Sequence, residues 1–326
     1  MNPTRWAKVP VVGVLAMLLA SQLLTDRIGP VQFMWWTPRV MLVAAAIVGF
    51  AVLLAIARAC RWPAVEQRRL AVWLGVSAIL GLACTWSDWG LPRARPEGAF
   101  RLAHWNICNP TRADAPPSVD TMLAFEADAI LLTDAGLAFA EGGAERMAAS
   151  GYAIARAGPF AIASRAPIVE ARPVYAARGR ALSRFVLATP QGPLAIDAVD
   201  LPSETTMHRY SSVRAFVATL EELGHLGSNP GSNPRAGHAR ADLLVGDFNI
   251  TRGSASLALL APDATEAFAD AGTGWGGTYP RAWPYWAIDQ TLVHAPWKAL
   301  RAQIVDPGRS RHRAQLVDLV RVGGGG

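Results

Sequence analysis

Ala241-Asp-Leu-Leu-Val-Gly-Asp-Phe-Asn249 is an apolar run that ends in Gly-Asp-Phe-Asn, and its reading decides the fold. Residues 243–245 read as a buried strand, and Gly246 is expected to let the chain turn sharply at its end. Such a turn sets Asp247 and Asn249 at the carboxyl edge of a sheet. A carboxylate beside a carboxamide can hold a hard cation, or a water and a phosphate oxygen, because one brings charge and the other a neutral donor and acceptor. A plain strand-to-loop turn favours Asp and Asn too, so the flanking chain has to decide.

Working outward, strand-like runs fall at 101–106, 128–132, 160–164, 182–188, 194–199, 287–294 and 315–322, beside the one at 242–246. Helical patterns are expected from near Ser118, read as a cap, over 141–149, and from 207 to 226. Many strands with few helices between them predict an α+β domain over 99–322 rather than an alternating parallel sheet. Gly227-Ser-Asn-Pro-Gly-Ser-Asn-Pro-Arg-Ala-Gly237 reads as a low-complexity, mobile loop, and residues 323–326 as a disordered tail.

The chain has 326 residues, 52% of them apolar, with the excess near the N-terminus. Uncharged stretches at 9–25, 40–57 and 70–85 approach the roughly 17–25 residues that cross a bilayer, and predict spans at about 9–25, 40–57 and 70–89. Trp35, Trp36, Trp86 and Trp89 flank them, as aromatic belts do. A lone run of this kind is equally a core helix or a signal peptide, but three in a row predict a membrane domain over 1–90, with a Pro- and Arg-containing linker at 91–98. Arg5 and Lys8 precede the first run, and Arg58, Arg61, Arg68 and Arg69 lie between the second and third. The positive-inside rule then predicts a cytoplasmic N-terminus, a multi-pass inner-membrane protein of a bacterium, and an extracytoplasmic domain after the third span.

Charge and cysteines narrow the classes. The net charge of +6 is carried almost wholly by Arg, with Lys only at 8 and 298. It permits an anionic substrate or lipid surface without demanding nucleic acid. Cys60, Cys84 and Cys108 form no paired framework, and Cys108 reads as a small core residue. No Gly-rich nucleotide loop, zinc-spaced Cys/His set or Gly-x-Ser-x-Gly elbow is present.

Seven markers come in order: His104-Trp-Asn106, the acid ending Ala127-Asp-Ala-Ile-Leu-Leu-Thr-Asp134, Ser164-Arg-Ala-Pro-Ile168, Asp200-Leu-Pro-Ser203, the Gly-Asp-Phe-Asn turn, Ala287-Ile-Asp-Gln-Thr-Leu-Val293 and Ser310-Arg-His-Arg313. This order resembles the endonuclease/exonuclease/phosphatase superfamily, the deoxyribonuclease I-like fold, and especially bacterial members with N-terminal membrane helices. The resemblance implies a four-layer αββα sandwich and metal-dependent hydrolysis of phosphate esters, with Mg²⁺ or Mn²⁺ as cofactor. It implies that Asn106 binds phosphate or orients the metal's ligands, that Asp247 and Asn249 position water and phosphate, that His312 is general base or phosphate contact, and that Asp289 supports. The substrate stays open between lipid head groups, envelope phosphates and nucleic acid, as does the oligomeric state.

Three positions depart from the family pattern. The metal-binding Glu is Asp134, one methylene shorter, which keeps the charge. The His before Leu-Pro is Asp200, an anion where a donor is expected. The Asp that orients the C-terminal His is Arg311, which is expected to deprive His312 of its carboxylate and lower its pKa. Two readings follow. In one, Asp134 and Asp200 hold the metal and Arg311 clamps phosphate. In the other, turnover is lost and the domain is an envelope binding or scaffold module. His104 reads as structural, with a missing imidazole as its alternative role, and His208 likewise. Arg209 and Arg214 read as solvated. Trp275, Tyr279, Trp283, Tyr285 and Trp286 read as packing under a loop, with an aromatic rim as the alternative.

Overall fold

The computed structural model describes residues 9–225 and 240–323. The loop expected at 227–237 and residues 324–326 lie outside them. The chain divides into two compact units, one running through Asp88 and joined by His208–Ser211, the other holding the remainder from Trp89.

The first unit is helical, with α1 (Val9–Leu24), α2 (Gly29–Trp36), α3 (Arg39–Ala59) and α4 (Ala64–Ser87). The short α2, which opens with a Pro in its first turn, falls where only a loop is expected. Ala46, Phe50, Leu54 and Ala57 of α3 close over Leu70 of α4, and Phe50 stacks on Trp73 at 6.1 Å. Among the described residues, α3 is the one helix long and apolar enough to cross a membrane, with 21 residues. At about 1.5 Å per residue, the 16 residues of α1 reach less far, and α4 carries Glu66, Arg68 and Arg69 near its start.

The second unit holds two mixed sheets. Its strands are β1 (Trp89–Gly90), β2 (Phe100–Asn106), β3 (Ala129–Thr133), β4 (Ala153–Ala157), β5 (Phe160–Ser164), β6 (Ile168–Ala177) and β7 (Arg180–Thr189). They continue with β8 (Gly192–Asp200), β9 (Leu243–Asp247), β10 (Thr265–Glu266), β11 (Gly272–Trp275), β12 (Asp289–Val293), β13 (Trp297–Val305) and β14 (Ala314–Arg321). One sheet has the order β1-β11-β13-β14-β2-β3-β5-β4, and the other β10-β12-β9-β8-β7-β6. Alternation of side chains along each strand explains why both sheets are apolar on two faces. Leu102, Leu131 and Ile162 meet Phe185, Ile196 and Val245 between the sheets. Trp105, Ile130 and Leu132 pack outward against Val119 and Met122 of α5 (Ala115–Ala124) and Met147 of α6 (Gly143–Ala149). Leu182, Val199 and Leu244 do the same against Val213, Phe216 and Leu220 of α7 (Arg209–Glu222) and Leu257 of α8 (Ala255–Leu260). Helices, sheet, sheet and helices thus lie in sequence, the layered sandwich that the seven markers imply.

Local expectations need correction in places. Gly246 is not the turn but an interior residue of β9, opposite Val199 of β8. A Cβ on it would lie 1.8 Å from the Val199 carbonyl oxygen, so glycine is required for the two strands to approach. Ser118 is no cap; it sits inside α5, where its hydroxyl donates to the Asp114 carbonyl at 2.7 Å. Strands β4, β6 and β13 and the short β1, β10 and β11 fall outside the expected runs, and Arg209 is buried rather than solvated, whereas Arg214 is exposed.

The register of β8, β9 and β12 positions the site. Asp200 lies beside Asp247 in the parallel pair β8–β9, and Asp289 beside Asp247 in the antiparallel pair β9–β12. Register partners share a face of the sheet. Three carboxylates therefore stand in one row across three neighbouring strands, at the end where β2 of the other sheet delivers Asn106.

Candidate active site

Asp247 is the hub of this row. It is 3% exposed, its Oδ2 accepts the Asn106 Nδ2–H at 2.9 Å, and its Oδ1 accepts the Asn249 backbone N–H at 2.9 Å. Asn249 takes a left-handed φ of 49°, a conformation Asn tolerates, and its Nδ2–H donates to the Leu201 carbonyl at 2.7 Å. Asn106, expected to bind phosphate, is buried, and its Oδ1 accepts the Cys108 N–H at 3.0 Å. One Nδ2–H and one Oδ1 lone pair are thus held by Asp247 and Cys108, and the bond to Asp247 orients that carboxylate.

His312 is not deprived of a carboxylate. Its Nδ1 lies 2.8 Å from Oδ2 of Asp289 and 3.9 Å from Oδ2 of Asp247. Burial alone would lower its pKa, but Asp289 first, and Asp247 after it, raise it to about 9. The expected depression by Arg311 is overturned, because the orienting carboxylate comes from β12 and not from the residue next in sequence. Arg311 itself is exposed, with Cys108 and Tyr279 as neighbours and Asp134 within its field. Burial pushes Asp289 up, yet the His312 imidazolium holds it below the usual carboxylate range.

The other acids behave in the opposite way. Burial, then the charge of Asp289, pushes Asp247 up to about 7 against the pull of His312. Burial, then Asp247, Asp134 and Asp289, pushes Asp200 up to about 8. Asp134 follows β3 with a left-handed φ of 52°, half-buried and close enough to act on Asp200. Among the described residues, Asp247, Asp289 and His312 form a group that could hold a metal ion, with donor atoms within 4.8 Å of one another; Asp134 is not part of it. A carboxylate oxygen keeps a lone pair beside each single hydrogen bond, so Asp247 and the unbonded Oδ1 of Asp289 can both offer lone pairs to a cation. Mutually repelling carboxylates of oxygen-donor type fit a hard divalent ion, which would relieve the repulsion that raises Asp200 and Asp247.

Several neighbours carried no sequence signal strong enough to find them. Ser310 Oγ–H donates to the Asn106 carbonyl at 2.6 Å, and the Ser310 oxygen accepts the His312 N–H at 3.2 Å. The Thr278 hydroxyl accepts the Asp289 N–H at 3.1 Å. The Tyr279 ring lies 4.8 Å from that of His312 and stacks on Trp286 at 6.0 Å, while Trp283 is 77% exposed. The aromatic cluster thus begins as a wall of the site and ends in solvent. Cys108, read as a core residue, is half-exposed with a left-handed φ of 56°. His104 is buried against Thr133, Nε2 to Oγ1 at 3.0 Å, and burial lowers its pKa to about 4. His208 bonds to Ser211, Nδ1 to Oγ at 2.9 Å, and is not part of the site.

A second buried Asp–His cluster lies elsewhere. Arg184 grips Asp197 with two bonds of 2.8 and 3.0 Å, and His225 Nε2 lies 2.9 Å from the same carboxylate. Burial pushes Asp197 up, but His225 and Arg184 together hold it below the usual carboxylate range.

Acids, amides and a His–Asp pair thus gather at one end of a two-sheet sandwich. The chain belongs to the Endonuclease/Exonuclease/phosphatase family, which it matches over residues 103–312. Members of this family are generally hydrolases of phosphoester bonds that use divalent metals. Similar solved structures include a family protein from Bacteroides thetaiotaomicron, at 16% identity over 69% of this chain and 96% of that one, TM-score 0.48. A functionally unknown conserved protein from Enterococcus faecalis V583 is 14% identical over 68% and 100%, TM-score 0.48. Truncated TDP2 from Caenorhabditis elegans is 13% identical over 70% and 100%, TM-score 0.48. Among curated proteins none matches.

Proposed function

We propose that this protein is a divalent-metal-dependent phosphoesterase anchored in a membrane. The observation that carries the reading is the row of Asp200, Asp247 and Asp289 in register on adjacent strands. Like charges opposite one another destabilise a sheet, and nothing in the row neutralises Asp200. Asp247, with Asp200 and Asp134 beside it, would hold Mg²⁺ or Mn²⁺. The bound ion would polarise a phosphoryl oxygen and lower the pKa of a coordinated water.

The remaining work falls to side chains. Asp247, fixed by Asn106 and Asn249, is placed to orient a water beside the bound ion. His312, held by Asp289, carries a proton at Nδ1 and stays cationic, which favours the charge that develops on a phosphorane-like transition state. Arg311 supplies an exposed guanidinium that can meet phosphate oxygens. The paired His312 and Asp289 favour this reading over a scaffold module, whose site would need neither.

The membrane part of the reading rests on α3 and on exposed apolar side chains such as Leu23, Ile79 and Leu82 along α1 and α4. Lipid can cover such faces; water covers them poorly. With three spans and the Arg-rich second loop inside, the hydrolase domain would face the envelope of a bacterial inner membrane. Its substrates would then be envelope phosphoesters, lipid head groups among them, rather than cytoplasmic DNA.

The test is calorimetric titration of Mg²⁺ and Mn²⁺ into the detergent-solubilised chain, with hydrolysis of bis-p-nitrophenyl phosphate followed in parallel. Metal-dependent hydrolysis that Asp247→Ala abolishes supports the enzyme. Neither binding nor turnover leaves the scaffold. For topology, alkaline phosphatase fused after Gly98 should be active, and an inactive fusion reverses the orientation.

A further inference from the structure

His104 lies beneath the site rather than in it. It is 1% exposed on β2, opposite Gln315 of β14. The Gln315 Oε1 accepts the Thr291 hydroxyl at 2.6 Å, and Thr291 is two residues from Asp289 on the same face of β12. His104 and Asp289 therefore share one interlayer, and each feels the other's charge. Each also has a buried polar atom with no hydrogen-bond partner among the described residues: Nδ1 of His104 and Oδ1 of Asp289. Buried polar atoms of a native protein are almost always satisfied.

The two are complementary. Burial lowers the His104 pKa to about 4, so at neutral pH the imidazole has one N–H and one lone pair. If the lone pair is at Nε2, it accepts the Thr133 hydroxyl, and the N–H at Nδ1 is left to donate. Asp289 Oδ1 can only accept. The pair resembles the second partner that commonly steadies a catalytic carboxylate or a ligating His.

We propose that His104 is a positioning residue, whose Nδ1–H reaches Asp289 Oδ1 through one buried water and so holds the Asp289 carboxylate in the plane that grips His312. This rests on the hydrolase reading only for its effect on rate; the geometry stands apart from turnover. The Thr133 hydroxyl is able to donate to Nε2 of this tautomer, and His104 in turn selects the orientation of Asp289.

The experiment is ¹⁵N–¹H spectroscopy of the full chain labelled with ¹⁵N-histidine, with His104 and His312 assigned by the loss of their signals in His104→Gln and His312→Gln. In the wild-type chain the ¹⁵N shifts should report His104 protonated at Nδ1; protonation at Nε2 overturns the proposal without any variant having to fold. His104→Asn keeps an N–H near the Nδ1 position, and His104→Gln keeps one near Nε2. The low-field proton between His312 and Asp289 should survive in the Asn variant and broaden or vanish in the Gln variant. Its survival in the Gln variant overturns the proposal. On bis-p-nitrophenyl phosphate with Mn²⁺, kcat should fall roughly 10–100-fold in the Gln variant at unchanged KM, with the Asn variant restoring most of it. A wild-type chain that hydrolyses nothing defeats the enzyme reading, while the proton spectra still decide the role of His104.

Discussion

Two buried clusters in this sandwich are built from the same residue types and behave in opposite ways. Around Asp197, one carboxylate meets an arginine and a histidine, and its pKa is held low. Around Asp247, the carboxylates meet one another, and Asp247 and Asp200 are pushed up to about 7 and 8. The first cluster is complete as it stands. The second has one imidazolium for several acids, and its unmatched charge calls for a cation or a proton from outside. Burial alone does not separate the two clusters; the charges that each carboxylate meets do.

The largest effect that would sharpen this contrast is on catalysis. Asp247→Asn should cut diester hydrolysis by roughly 10²–10⁴-fold, while leaving the thermal midpoint unchanged or higher, because it removes repulsion. A loss of stability in proportion to the loss of rate would break the distinction. Asp197→Ala should do the reverse. It leaves Arg184 buried without its carboxylate, which costs about 3–5 kcal/mol, read from urea unfolding, and leaves kcat near wild type wherever the chain stays folded.

The pH dependence should divide along the same line. The folded-state pKa values of Asp200 and Asp247 are raised, so the folded form binds extra protons and, in EDTA, stability should fall as pH rises from about 4 through about 7 to 8. Millimolar Mg²⁺ should remove that fall. The folded-state pKa of Asp197 is lowered, so its contribution is present above the ordinary carboxylate range and is lost as pH drops through its folded value. Asp247→Asn should flatten the alkaline limb and Asp197→Asn the acid limb; a swap of these assignments in thermal scans would refute the comparison.

Smallest is the expected effect of restoring the family residue at 311. With Asp289 already 2.8 Å from His312, a second carboxylate has no vacant role. Arg311→Asp should change kcat by less than about tenfold and act mainly by raising KM, as loss of a phosphate contact does. A large gain in kcat would mean that Asp289 does not orient His312.

The sequence disclosed the ends of strands better than their neighbours. Asn106, Asp247 and Asn249 stood out because each closes a short apolar run, where a polar residue is conspicuous. Strand β6 escaped because it is half-exposed along its length and carries Pro173 and two register shifts, so no apolar run announces it. The carboxylate row was hidden for another reason: it depends on the order β12-β9-β8, which no spacing in the chain encodes. The same holds for Asp289, which opens β12, and His312, 23 residues further on in the loop that leads into β14 of the other sheet. The adjacent Arg311 drew attention because it is next in sequence, yet the partner that matters is nearer in space. An Asp at the head of the apolar Gln-Thr-Leu-Val run was the available signal, and it was read only as supporting.

The bond from Ser310 to the Asn106 carbonyl joins positions 204 residues apart, and β14 pairs with β2 immediately beyond it. A ribosome delivers β2 long before β14. The strand that should sit between β13 and β2 is therefore missing throughout most of synthesis, and with it the histidine that completes the site. Completion of the candidate site is then an event of late translation: a nascent chain carries Asn106 and Asp134 early, but its sheet stays open until residues beyond 312 emerge.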